Sequence, residues 1–197
     1  MGLVDRVKNI LLSPRAEWEV IDKEAATPAS LYTGYILPLA AIGPICQVIG
    51  YSVFGISLPF VGTYRMPIGS AITGAIVTYV LTLVVVYVLA LIIDALAPTF
   101  AGTKSQIQAL KVATYSYTAA WLAGIFALIP GLRFLGILGL YSLFLLYTGL
   151  PVLMKSPKEK ALGYTVVVIL CGIVLSIVIG VVAGRFMGMP HMGGFTP

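Results

Sequence analysis

Five long stretches of this chain contain no Asp, Glu, Lys or Arg: Ala25–Tyr64, Met66–Ile93, Val112–Leu132, Phe134–Met154 and Ala161–Gly184. Each reaches the roughly 20 apolar residues that a helix needs to cross about 30 Å of hydrocarbon. Helices of soluble proteins must turn a polar stripe to water, and these do not. The pattern predicts an all-α integral membrane protein, a five-span bundle with helices near Ala29–Phe54, Pro67–Leu96, Ser105–Ile129, Leu132–Met154 and Leu162–Arg185. Pro38 and Pro44 each remove a backbone donor and should bend the first span. Gly55–Tyr64 reads as a loop, and Pro130-Gly131 as a tight turn between the third and fourth spans.

The pattern changes ahead of the first span. Leu3, Val4, Val7, Ile10 and Leu11 recur at helical spacing, with Asp5, Arg6, Lys8 and Asn9 on the other side. Ser13-Pro14 reads as an N-cap and first helical residue, opening a second short helix with Trp18, Ile21 and Ala25 on one face and Glu17 and Glu24 off it. Thr27-Pro28 repeats the cap signal. Short amphipathic helices before a first span are expected to lie in the membrane interface, with tryptophan at headgroup level. The organisation is thus an amphipathic segment over 1–27, a transmembrane domain over 28–186 and a Met/Gly-rich tail over 187–197.

Composition agrees, with 59% hydrophobic and 10% charged residues. The net charge of +5 is scattered over loop ends, which fits anionic lipid and gives no reason to expect nucleic acid. With a cytoplasmic N-terminus, Lys104, Lys111, Lys155, Lys158 and Lys160 fall on inner connections, and Arg65 and Arg133 on outer ones, so the C-terminus is expected outside. The localisation that follows is multi-pass, in a bacterial or archaeal cytoplasmic membrane. Gly2–Leu12 is too short and too polar for a signal peptide. Cys46 and Cys171 lie within spans and read as small buried hydrophobes.

Candidate chemistry rests on few residues. Asp94 is the lone acid between Glu24 and Glu159, and Lys104 and Lys111 are its expected partners. Lys104, Gln108, Lys111, Tyr115 and Thr118 share one helix face by their spacing of 4, 3, 4 and 3. This group either pairs structurally, with lysine stems reaching the headgroups, or lines a hydrated cavity for an ion or a lipid headgroup. Gly172, Ser176, Gly180 and Gly184 recur every four residues and allow close approach of a helix, from the same chain by preference or from a second copy. Met187, Met189, His191 and Met192 in the tail carry soft ligands suited to Cu(I). No P-loop, zinc-protease motif or nucleophile elbow is present, so an enzyme is not expected, and no cofactor is implied.

Three segments together resemble one family. Leu11-Leu12-Ser13-Pro14-Arg15-Ala16-Glu17-Trp18 is similar to its prokaryotic N-terminal signature, and Tyr115-Ser116-Tyr117 to its Gly-Tyr-Ser-like element. Tyr147, Gly149, Leu150 and Pro151, preceded by Leu140-Tyr141, resemble its Tyr-x-Gly-Leu-Pro ending of the fourth span. The family is the Ypt-interacting-protein (Yip) group, in its bacterial and archaeal branch. The resemblance implies five spans, a cytoplasmic N-terminus and no catalytic residues. Eukaryotic members are associated with small GTPases and vesicle traffic through longer N-terminal regions that have no counterpart here. The expected function is therefore non-enzymatic: organising membrane or partner proteins as a homo-oligomer, with lipids around it and a cytoplasmic partner on the N-terminal segment. The alternative is a small transporter, channel or lipid-handling protein using a polar site around Asp94 and Lys111.

Overall fold

The computed structural model of the chain describes residues 1–58 and 62–186. Two short helices lead, α1 (Leu3–Leu12) and α2 (Pro14–Lys23). Pro14 occupies the first helical position of α2, where its missing N–H costs nothing. At the head of the first span Thr27 and Ser30 form a reciprocal capping box: the Ser30 N–H donates to Thr27 Oγ1 at 3.1 Å and the Thr27 N–H to Ser30 Oγ at 3.0 Å.

Among the described residues, four helices are long and apolar enough to cross a membrane: Pro28–Phe54, Ile68–Phe100, Gly131–Leu153 and Lys158–Arg185. The first is irregular, with π turns at Tyr32–Ile36 and Gly50–Phe54 and a break at Ala41. That break falls between Pro38 and Pro44, as the loss of two backbone donors requires. A small antiparallel ladder follows, Ile56–Leu58 on Gly62–Tyr64, an addition to the all-helical expectation. The fourth-span region opens as an eleven-residue 3-10 stretch, Pro130–Leu140, before the α-helix Tyr141–Leu153.

The segment expected as a third span, Ser105–Ile129, is helical but not one of these four. It runs as Gln106–Ser116 and Thr118–Ala123, broken at Tyr117, and ends in the 3-10 turns of Gly124–Leu128. Every residue from Ala109 to Ser116 is buried, so this central run is enclosed by the other helices. Its Gln106, Gln108 and Lys111 dilute the hydropathy that the other four carry. The outer faces of the bundle are apolar instead. Ile72, Ile76, Val80 and Val84 on the second span, and Val174, Ile177, Val178 and Val181 on the last, are exposed, as a hydrocarbon solvent permits.

Close helix approach occurs where it was not expected. A Cβ on Gly124 would stand 2.8 Å from the Gly43 Cα, and one on Gly50 would stand 2.2 Å from the Ala127 carbonyl oxygen. These glycines bring the first span against the central run. The stripe on the last span does not do this: added Cβ atoms on Gly172, Gly180 and Gly184 meet nothing within 4 Å. Gly172 and Ser176 line a cavity within the chain, together with Tyr117, Ala120 and Gly139. The last span packs on the second and fourth spans around Tyr164 and Val168, two turns and one turn ahead of Gly172.

Candidate functional site

The polar and aromatic residues converge at one end of the bundle, where α1 and α2 dock. Trp18 is fully buried there, packed inside the protein. Its ring lies on Gly149, where a Cβ would meet Cε2, Cζ2 and Cη2 at 2.7, 2.7 and 3.0 Å. Its indole Nε1 donates to Thr148 Oγ1 at 3.1 Å. Tyr115 meets Trp18 edge-on at 6.3 Å between ring centroids, and meets Tyr35 at 4.7 Å. Tyr141 reaches across to donate to the Leu11 carbonyl at 3.0 Å. Each sequence element that carried the family resemblance therefore contributes to one contact. The glycine of Tyr-x-Gly-Leu-Pro leaves the space that the tryptophan of the N-terminal signature fills.

Charge completes the dock. The Arg6 guanidinium donates to both Glu17 and Glu24, and Arg6 and Glu17 are each about nineteen-twentieths buried, at 6% and 5% exposure. Burial opposes the charge on Arg6. The hydrogen bond to Glu24 and the fields of Glu24 and Glu17 outweigh it, so its pKa rises above the ordinary arginine value and Arg6 stays charged at any working pH. Lys111, from the central run, donates to the Ile21 and Glu24 carbonyls at 2.8 and 2.6 Å. Those carbonyls lie at the C-terminal end of α2, where a cation also meets the negative end of the helix dipole. Gln108 Nε2 donates to the Asp22 carbonyl and carboxylate, both at 3.1 Å, and Lys155 pairs with the same carboxylate.

The expected polar group is therefore split. Gln108, Lys111 and Tyr115 do share a face, and that face receives α1 and α2. Asp94 is not joined to them: among the described residues no ion pair links it to Lys104 or Lys111, and its buried Oδ1 has no hydrogen-bond partner. Lys104 is exposed. The physical reason is competition, since carbonyls at a helix end and the acids of the N-terminal segment lie nearer to Lys111 than Asp94 does. Arg6, Tyr35 and Asp22 were missed as site residues. The available signal was Glu17 beside Trp18, an acid next to a residue that must be buried. The tail ligands Met187, Met189, His191 and Met192 lie outside the described residues.

Comparison with known proteins adds the family. Two inner membrane proteins named YohC, from Escherichia coli strain K12 and from E. coli O6:H1, are each 27% identical to the chain over 166 residues, covering 82% of this chain and 85% of the relative. No solved structure matches. The relatives' membrane location and the apolar spans agree on a multi-pass protein of the cell membrane. The Yip1 domain family model matches residues 8–179, from within α1 to about three-quarters of the way along the last span, and the chain belongs to that family.

Proposed function

We propose that this protein is a non-enzymatic membrane scaffold that crosses the bilayer five times, with the N-terminus in the cytoplasm and the C-terminus outside, and organises membrane or partner proteins as a homo-oligomer. One observation carries the reading: the charged and aromatic residues near the membrane are consumed in fixing α1 and α2 to the bundle. Arg6, Glu17, Lys111 and Trp18 are buried and partnered with one another's helices. They present a rigid cytoplasmic face whose outer residues Val4 and Leu12 are 77% and 72% exposed. Such a surface suits a protein partner. The unfilled stripe at Gly172, Gly180 and Gly184 suits a second copy in the membrane.

The alternative, transport or lipid handling through the Asp94 region, is favoured by the unpartnered Asp94 carboxylate. Two measurements separate the readings. Protein in proteoliposomes is assayed for ion flux and lipid scrambling, and photo-crosslinkers at Val4, Leu12 and Gly180 are activated in native membranes. The scaffold reading expects defined crosslinks and no flux. Flux that disappears in Asp94→Asn overturns it. Reporter fusions that place both termini in one compartment would overturn the five-span orientation.

A further inference from the structure

A polar cavity of about 370 Å³ lies between the start of α1 and the cytoplasmic end of the first span. Its wall includes Gly2 and Leu3, Arg6, Glu24, Gly34 and Tyr115. Gly2 caps α1 without any side-chain hydrogen bond, so the first-turn N–H groups have no intrahelical acceptor and meet the cavity with the positive end of the helix dipole. Tyr115 is 7% exposed, its ring lies 5.6 Å from the Arg6 guanidinium carbon, and its hydroxyl has no hydrogen-bond partner among the described residues. Tyr115 lines the cavity, so a ligand oxygen there can accept from that hydroxyl. The Glu24 carboxylate, paired with Arg6, also lines the cavity, and its side chain is 40% exposed.

From this geometry we infer a binding site for the headgroup of a zwitterionic membrane lipid, phosphatidylethanolamine. The phosphate faces the α1 N-terminus, Arg6 and Tyr115, the combination that receives phosphates elsewhere. The ammonium faces Glu24. A purely anionic group meets the repulsion of Glu24, of Glu17 behind Arg6, and of Asp5, whose carboxylate is 3.1 Å from the position of a Cβ on Gly2. A purely cationic group meets Arg6 and the helix N-terminus. A headgroup carrying both charges can lie antiparallel to the Arg6–Glu24 pair, its phosphate on Arg6 and its ammonium on Glu24. Access is from the lipid side: Ser30 and Gly34 on the first span border the cavity and are exposed, so acyl chains can run down that helix. The site goes beyond the scaffold reading and holds whether or not the protein organises partners.

The test uses the delipidated full-length protein in detergent, with thermal unfolding followed as dioctanoyl phosphatidylethanolamine, phosphatidylglycerol, phosphatidylcholine or soluble phosphoethanolamine is added. The ethanolamine lipid is expected to raise Tm saturably and above the other three. Gly34→Leu fills the cavity without collision, since an added Cβ there meets nothing within 4 Å, and is expected to abolish the rise. Gly69→Leu, equally open but on the second span, is the control that keeps it. Tyr115→Phe, which keeps the ring and its packing, is expected to weaken binding about tenfold, the loss of one charge-assisted hydrogen bond. Equal stabilisation by all three lipids overturns the site, as does its persistence in Gly34→Leu. Phosphatidylglycerol matching the ethanolamine lipid makes it an anion site and overturns the zwitterion. Phosphoethanolamine matching it overturns the lipid.

Discussion

Replacing Gly149 with alanine tests the contact on which the docking of α1 and α2 rests. The new methyl would stand 2.7 Å from two carbons of the Trp18 ring and 3.0 Å from a third, and that ring is fully buried. Overpacking of this kind costs about 1–3 kcal/mol. Alanine recovers about 0.5–1 kcal/mol relative to glycine inside a helix. The net expectation is a loss of about 0.5–2 kcal/mol, felt as undocking because Trp18 belongs to the hairpin and Gly149 to the bundle. That range raises the undocked fraction roughly 2- to 30-fold. The assay is limited trypsin cleavage after Arg15 and Lys23, both on α2, in protein held in detergent or nanodiscs. Trp18→Phe removes the three colliding carbons, so Gly149→Ala should cost little more in that background, a coupling that marks direct contact. If Gly149→Ala cleaves at the wild-type rate, or costs as much beside Trp18→Phe as alone, the interlocking of the two motifs is wrong.

Arg6→Met leaves Glu17 buried without its partner, and is expected to cost about 3 kcal/mol and to accelerate the same cleavage strongly. Lys111→Met frees the carbonyls at the end of α2 and should loosen the hairpin by about 1–3 kcal/mol. Asp94→Asn should leave it unchanged, and equal losses in these two variants would restore the pairing expected from sequence. Gly124→Ala forces backbone apart at Gly43 and should lower thermal stability in detergent, whereas Gly180→Ala should not. Gly180→Leu should keep the fold yet abolish crosslinking between copies, and crosslinking that persists removes the last span from the proposed interface.

Membership of the bilayer, the approximate helix limits and the family were determined by the sequence alone. Hydrocarbon demands long charge-free helices, and that demand is written into consecutive residues, as are proline breaks such as the one at Ala41 and the capping box at Thr27. The motifs at Trp18, Tyr115 and Gly149 could also be read, each as a local string. Their meeting could not, because it joins residues about 130 positions apart through the shape of a ring and a missing side chain. Charge pairing was decided in three dimensions as well. Lys111 had a plausible acid in Asp94 by depth, but the end of α2 offers it two carbonyls at hydrogen-bond distance. Glycine spacing was incomplete for the same reason: added Cβ atoms on the regular stripe Gly172, Gly180 and Gly184 would meet nothing within 4 Å, while the irregular Gly43, Gly50 and Gly124 hold two helices together. A periodic pattern states which face of a helix is small, and only the tertiary structure states what stands opposite that face.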